Sequence, residues 1–135
     1  MSASEAAKVG FGKSMTPIFR SFSEDLATKF YVNWLGFKVD WKHRFSNDSS
    51  SPLYFQVSRG DIKIHLSEHH GDACPGSSIK IDLEEGLDDY LSELQSREYP
   101  NYNPSIQDQP WGCREMSVTD PFGNRIVFFQ DVEAK

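Results

Sequence analysis

Apolar positions along the chain follow two periods, and the places where the period changes divide it into elements. Residues 15–21 form an extended run carrying Ile18 and Phe19, with Pro17 at its start, where a strand tolerates proline. Ser21 or Ser23 then caps a helix whose first turn holds Glu24 and Asp25, the charge that suits a helix N-terminus. Leu26, Phe30, Tyr31 and Trp34 recur at three- and four-residue spacing as its apolar stripe, and Gly36 ends it. Residues 37–44 alternate, with Phe37, Val39, Trp41 and His43 on one side and Lys38, Asp40, Lys42 and Arg44 on the other. After a polar loop at 47–52 come a strand at 53–58, a tight turn at Arg59-Gly60-Asp61 and a strand at 61–66. In that last strand Ile62, Ile64 and Leu66 share one face, and Lys63 and His65 the other.

The second half repeats this order. A His- and Gly-rich loop at 68–76 leads to a strand at 77–83, where Ile79, Ile81 and Leu83 oppose Lys80 and Asp82. A helix over 85–98 is striped by Leu87, Tyr90, Leu91 and Leu94, and the Pro- and Asn-rich stretch 99–108 allows one short edge strand. Gln109-Pro110-Trp111-Gly112 then holds a large indole at the entrance of a hairpin whose connection is Asp120-Pro121-Phe122-Gly123-Asn124. In its second strand Ile126 and Phe128 point one way, Val127 and Phe129 the other. Such a strand is covered on both faces: by a helix on one, and by a partner chain or a ligand-filled cavity on the other. Strand, helix, strand, strand, strand thus occurs twice, a repeat of about 60 residues. The fold class is α+β: two βαβββ modules, residues 15–70 and 77–130, whose curled mixed sheets carry helices outside and a concave face inside. They form a single domain, 15–135, after a small, polar, glycine-containing arm at 1–14 that is expected to be mobile.

A chain of 135 residues, 38% hydrophobic and 25% charged, suits one soluble domain. No apolar run approaches the ~20 residues of a membrane span, and the N-terminal residues lack the pattern of a signal peptide, so a cytoplasmic location is expected. Cys74 and Cys113 stand far apart outside any C-x-x-C pair and read as reduced thiols. With a net charge of −6 and scattered Lys and Arg, the chain offers nucleic acid no basic stripe, whereas long-range attraction favours cationic small molecules.

Histidine and carboxylate are suitable ligands for a divalent transition metal, which makes His65, His69 and His70, with Glu68, the candidate metal set. His69 and His70 fall in a loop, however, and His65 shares its face with Lys63. Further inward positions, Thr16, Ser78 or Lys80, and Val127, are poor ligands. There is no G-x-S-x-G, no glycine-rich phosphate loop and no activating neighbourhood for a cysteine. The pairs Glu84/Glu85 and Asp88/Asp89 are accounted for by the start of a helix. Aromatics, 13% of the chain, carry more information. Trp34 belongs to a helical stripe and to the core. Trp41 and Trp111 lie at strand positions beside polar segments, where an indole serves either interface packing or the stacking of a planar, cationic guest.

Gln109-Pro110-Trp111-Gly112, Arg114-Glu115 and Asp120-Pro121-x-Gly123-Asn124 together resemble the C-terminal part of bleomycin resistance proteins, in the glyoxalase/bleomycin resistance/extradiol dioxygenase (vicinal oxygen chelate) superfamily. Phe30-Tyr31, Leu35-Gly36-Phe37, Gly60-Asp61-Ile62 and Gly86-Leu87-Asp88 extend the likeness over residues 15–130. The resemblance implies paired βαβββ modules and a homodimer with ligand clefts between subunits, in some members with the first strand exchanged. Family enzymes place metal ligands at positions matching about Thr16, His65, Ser78 and Val127, of which only His65 ligates well. The resemblance therefore implies the metal-free branch, without cofactor or catalytic residues, which sequesters the cationic, planar antibiotic away from DNA. It makes Trp41 a cleft aromatic, Ser67 a polar cleft position and Trp111, beside Gly112, the stacking indole, with His65, Lys80 and Asp82 on the same inward faces. The family carries further aromatics where this chain has Lys80 and Asp82, and a lysine there opposes a cationic guest. The rival expectations are a metal-dependent isomerase, lyase or dioxygenase using His65, and a binding module for an unidentified metabolite.

Overall fold

The computed structural model describes residues 7–48, 50–99 and 102–132. Residues 1–6 of the expected arm, position 49 of the polar loop, positions 100–101 and residues 133–135 lie outside them.

Ser23 opens the first helix because its backbone is extended (φ −157°, ψ 120°) and its Oγ accepts from the Leu26 amide at 3.1 Å. Helix α1 (Glu24–Ala27) runs straight into a π-helical stretch, Thr28–Trp34, where the Leu35 amide reaches back to the Phe30 carbonyl at 2.9 Å. Phe30, Tyr31 and Trp34 are all buried there. Leu26, expected in the apolar stripe, is instead 45% exposed. The buried series runs through Ala27, one position along, and continues at Phe30, Tyr31 and Trp34.

Strands β1 (Ile18–Arg20), β2 (Lys38–Arg44), β3 (Leu53–Arg59) and β4 (Ile62–Ser67) form one sheet in the order β1-β4-β3-β2. Strand β5 (Ser78–Asp82), helix α2 (Leu87–Ser96) and strands β6 (Ile106–Gln109), β7 (Cys113–Thr119) and β8 (Arg125–Asp131) follow, with sheet order β5-β8-β7-β6. In each sheet the first strand runs parallel to the fourth and the remaining neighbours are antiparallel. The architecture is α+β, and the second half reproduces the topology of the first. Phe55, Val57, Ile64 and Leu66 from one sheet and Met116, Val118, Ile126 and Phe128 from the other join the helical aromatics in one continuous core. No helix among the described residues is long and apolar enough to cross a membrane.

The expected alternation of residues 37–44 breaks at Asp40. Val39 pairs with Val57, but Trp41 pairs with Gln56, so the register shifts between them. Such a bulge turns every later side chain of the strand to the opposite face. Phe37 and Val39 therefore pack on the core, whereas Trp41 and His43 lie on the other side of the sheet, opposite Gln56 and Tyr54.

The β7–β8 connection ties the two halves together. Asp120 is buried, and its Oδ1 accepts from the amides of Phe122 and Asn124 at 2.9 and 2.8 Å. Its Oδ2 accepts from the Tyr31 hydroxyl at 2.7 Å and from Asn124 Nδ2 at 2.9 Å, and the same Nδ2 donates to the Arg20 carbonyl at 2.9 Å. Arg59 and Arg97 add donors to the carbonyls of Leu35 and Trp34, at 2.8 and 2.7 Å, with Glu93 bound between them. Replacing Asp120 by Ala strands buried donors, and we expect it to destabilise the fold by about 3–5 kcal/mol, against about 1–2 for Tyr31→Phe. Urea unfolding midpoints check both values.

Candidate ligand-binding faces

The bulge brings Trp41 over two cross-strand neighbours. Its ring is parallel to Tyr54 (centroids 5.9 Å, 5°) and meets His65 edge-on (5.2 Å, 73°). Beneath it runs a chain of polar contacts. The Tyr54 hydroxyl lies 2.7 Å from His65 Nδ1, His65 Nε2 lies 2.9 Å from Gln56 Oε1, and Gln56 Nε2 donates to Asp40 Oδ2 at 2.9 Å. Since Gln56 presents its oxygen to the ring, the imidazole proton sits on Nε2, and Nδ1 accepts from the phenol. Burial, then the nearby Lys63 charge, pushes the His65 pKa below its ordinary 6.5, and the Gln56 bond, foremost, holds the Asp40 carboxyl below the usual range. Ser67, at the end of the same strand, is buried; its Oγ donates to Asp72 Oδ2 at 2.6 Å and accepts from the His69 amide at 3.1 Å. Its hydroxyl is thus spent on holding the 68–76 loop.

The second sheet carries the other named residues. Lys80 pairs with Glu115 Oε2 at 3.0 Å, and its ammonium lies 4.9 Å from the centre of the Phe129 ring. The Lys80 bond, foremost, holds the nearly buried Glu115 carboxyl below the usual range, and the lysine's positive charge is answered locally. Trp111 is 66% exposed in the β6–β7 turn, where Gly112 takes φ 90° and donates to the Gln109 carbonyl at 3.1 Å. The indole N–H donates to Cys113 Sγ at 3.1 Å, and that thiol donates to Glu115 Oε2 at 3.5 Å. Burial raises the Cys113 thiol above its ordinary range; Cys74 is exposed, and both cysteines are free. Asp82 is exposed on the same edge strand as Lys80. Val127, on this face, is buried opposite Lys80.

The structure therefore gathers Trp41 with His65 and, separately, Lys80 with Trp111 and its neighbours. His69 and His70 stay in the loop, the first with its ring against Phe45 at 4.7 Å. His65 stands across the strands from Ile18 rather than Thr16, and both of its ring nitrogens are engaged. Among the described residues no three His, Cys, Asp or Glu side chains are grouped to hold a metal ion. Tyr54 and Gln56 escape the sequence reading, and Glu115 enters it only within the Arg114-Glu115 motif. Period-two alternation from Phe55 and Val57, paired through the 59–61 turn, was the signal that places the first two beside His65.

A histidine whose folded pKa lies below its unfolded value stabilises the fold above the unfolded value and loses that contribution as pH falls through the folded one. An NMR titration of His65 should give a midpoint below 6.5 with the Nε2–H tautomer above it, and His65→Gln should lessen the acid-side loss of stability. A midpoint above 6.5 would contradict the polar chain as drawn.

Comparison with known proteins supplies the context for these two faces. A bleomycin resistance protein from Geobacillus stearothermophilus and one from Staphylococcus aureus are each 27% identical over 92 residues, 55% of this chain and 69% of theirs. The bleomycin-binding protein of Streptomyces verticillus, solved with copper(II)-bleomycin, superposes with a TM-score of 0.64 and 26% identity over 94% of this chain and 100% of its own. A glyoxalase-related enzyme from Clostridium phytofermentans shares the fold at a TM-score of 0.67, with 18% identity over 93% of this chain and 100% of that one. The model of the family described as "Glyoxalase superfamily protein" matches residues 2–135, and the chain belongs to that superfamily.

Proposed function

We propose that this protein binds and sequesters a bleomycin-like antibiotic, or a similarly planar and cationic compound, and so confers resistance without altering the guest. The observation that carries this reading is the pair of held but accessible indoles. Trp41, 42% exposed, is fixed by its parallel stack on Tyr54, and Trp111 by its bond to Cys113. A rigid aromatic face binds a flat heterocycle with little ordering cost, and its quadrupole attracts positive charge. The relatives known as bleomycin resistance and bleomycin-binding proteins support the same guest class. A binder is favoured over an enzyme of this fold because the relatives known as bleomycin resistance and bleomycin-binding proteins share 27% and 26% identity with the chain, against 18% for the glyoxalase-related enzyme.

The active form in this proposal is a cytoplasmic homodimer. Residues 15–135 of each subunit form the binding unit after the 1–14 arm, and the Trp41 face of one subunit closes over the Trp111 face of the other. Trp41, His65, Lys80, Asp82, Trp111 and Gly112 line the cleft, and Ser67 shapes its edge through the 68–76 loop. Titration with bleomycin should change the tryptophan emission saturably, and sedimentation should show a dimer. Trp111→Ala and Trp41→Ala should each weaken binding by ~1–3 kcal/mol while leaving the melting temperature nearly unchanged. Equal affinity in both variants and the wild type would remove the indoles from the mechanism.

A further inference from the structure

A cavity of about 360 Å³ lies away from both indoles, between the turn at Gly60 and the start of helix α2. Its walls are apolar: Phe37, Ile62, Ile81, Leu83, Tyr90 and Phe128, four of them buried. The volume falls within the range of roughly 300–1,000 Å³ typical of small-molecule sites. Tyr90 is fixed on three sides. Its ring stands at 90° to Phe128 with centroids 5.0 Å apart, its hydroxyl donates to the Leu35 carbonyl at 2.8 Å, and the Arg59 guanidinium lies 4.8 Å from its ring centre. The wall is therefore preorganised.

The charges at the mouth are unequal. Glu93 accepts from Arg59 through two bonds of 2.6 and 3.0 Å and pairs with Arg97 at 2.7 Å, and the Arg59 bond, foremost, holds its carboxyl below the usual range. Glu85 and Asp89 also line the mouth and are exposed. Their neighbour Asp88 takes Arg114 at 2.7 Å. The start of α2 explains why acids are tolerated there, but Gly86 precedes the helix with no side chain, and a Cβ at that position would meet nothing within 4 Å. The entrance is open, greasy inside and negative at the rim.

We infer that this cavity is a second ligand site, distinct from the indole faces, that takes a small amphipathic cation: one aromatic or branched aliphatic group in the pocket and an ammonium at Glu85 and Asp89. A cation gains from both carboxylates at the mouth, whereas a neutral or anionic analogue of the same shape keeps only the apolar contact.

The test uses the full chain and three probes of one shape: benzylammonium, benzyl alcohol and benzoate, titrated by NMR with the Ile81 methyls and the Tyr90 ring as reporters. We expect benzylammonium to bind about tenfold more tightly than benzoate at low ionic strength, with shifts confined to the cavity walls. Glu85→Gln combined with Asp89→Asn should abolish that preference while leaving benzyl alcohol binding intact. Leu83→Trp should exclude all three probes and leave the bleomycin titration unchanged, which separates this site from the proposed indole cleft. The inference is overturned if the three probes bind equally, if none binds, or if Leu83→Trp leaves them bound. It is likewise overturned if that variant changes the sedimentation of the protein instead, which would make the cavity a contact between copies of the chain. The double charge variant alters only exposed groups, so a folding failure of Leu83→Trp does not remove the test.

Discussion

The four hydrogen bonds accepted by Asp120 hold the architecture together. One carboxyl group closes the β7–β8 turn through two backbone amides, fixes Asn124, and accepts from Tyr31 in the first module's π-helical stretch. Asn124 in turn reaches the carbonyl of Arg20 at the end of the first strand. The motif Asp-Pro-x-Gly-Asn is thus more than a turn. It connects residues more than 80 positions apart, and because Tyr31, Asp120 and Asn124 are buried, each bond left unmade among them would be expensive. The relative placement of the two sheets, and so of the two indole faces, depends on this connection.

A second constraint is local. The single extra residue at Asp40 moves Trp41 from the core side to the opposite side, where it finds Tyr54 and His65. The bulge also gives the polar chain its end, since Asp40 itself accepts from Gln56. One irregularity in the ladder therefore supplies both the aromatic platform and the anchor of the groups beneath it. Bulges re-aim side chains in this way, and here the re-aimed indole is the one the proposed function uses.

The repeat, the strands and both helices were legible because each rests on short-range signals: period-two alternation in 61–66 and 77–83, the Ser23 cap, and the glycines at 36, 60, 112 and 123, which all take positive φ. What escaped depends on pairing partners. Asp-Trp at 40–41 carries no Gly or Pro to mark a bulge, so the alternation of 37–44 ran on past its true break. Leu26 fits a stripe by its four-residue spacing to Phe30, but Ala27, Phe30, Tyr31 and Trp34 stand at i, i+3, i+4 and i+7, and Ala27, small and easily passed over, takes the inner place. Glu115 was visible only as part of a motif, because its partner Lys80 lies 35 positions earlier, in another strand. The aromatic pattern singled out Trp41 and Trp111, and the resemblance to resistance proteins gave them expected roles; neither supplied what holds them still.

In the proposed function, the pairing of Lys80 with Glu115 separates two stages of capture. With its lysine paired at close range, the second face would meet the proposed guest as a dipole and a ring surface rather than as a point charge. The excess of negative charge, −6 over the chain, is spread widely and acts from afar. Long-range attraction of that kind governs how often a cation arrives, and contact governs how long it stays. On that proposal, arrival and residence are set by different parts of the molecule, and evolution could adjust one without disturbing the other.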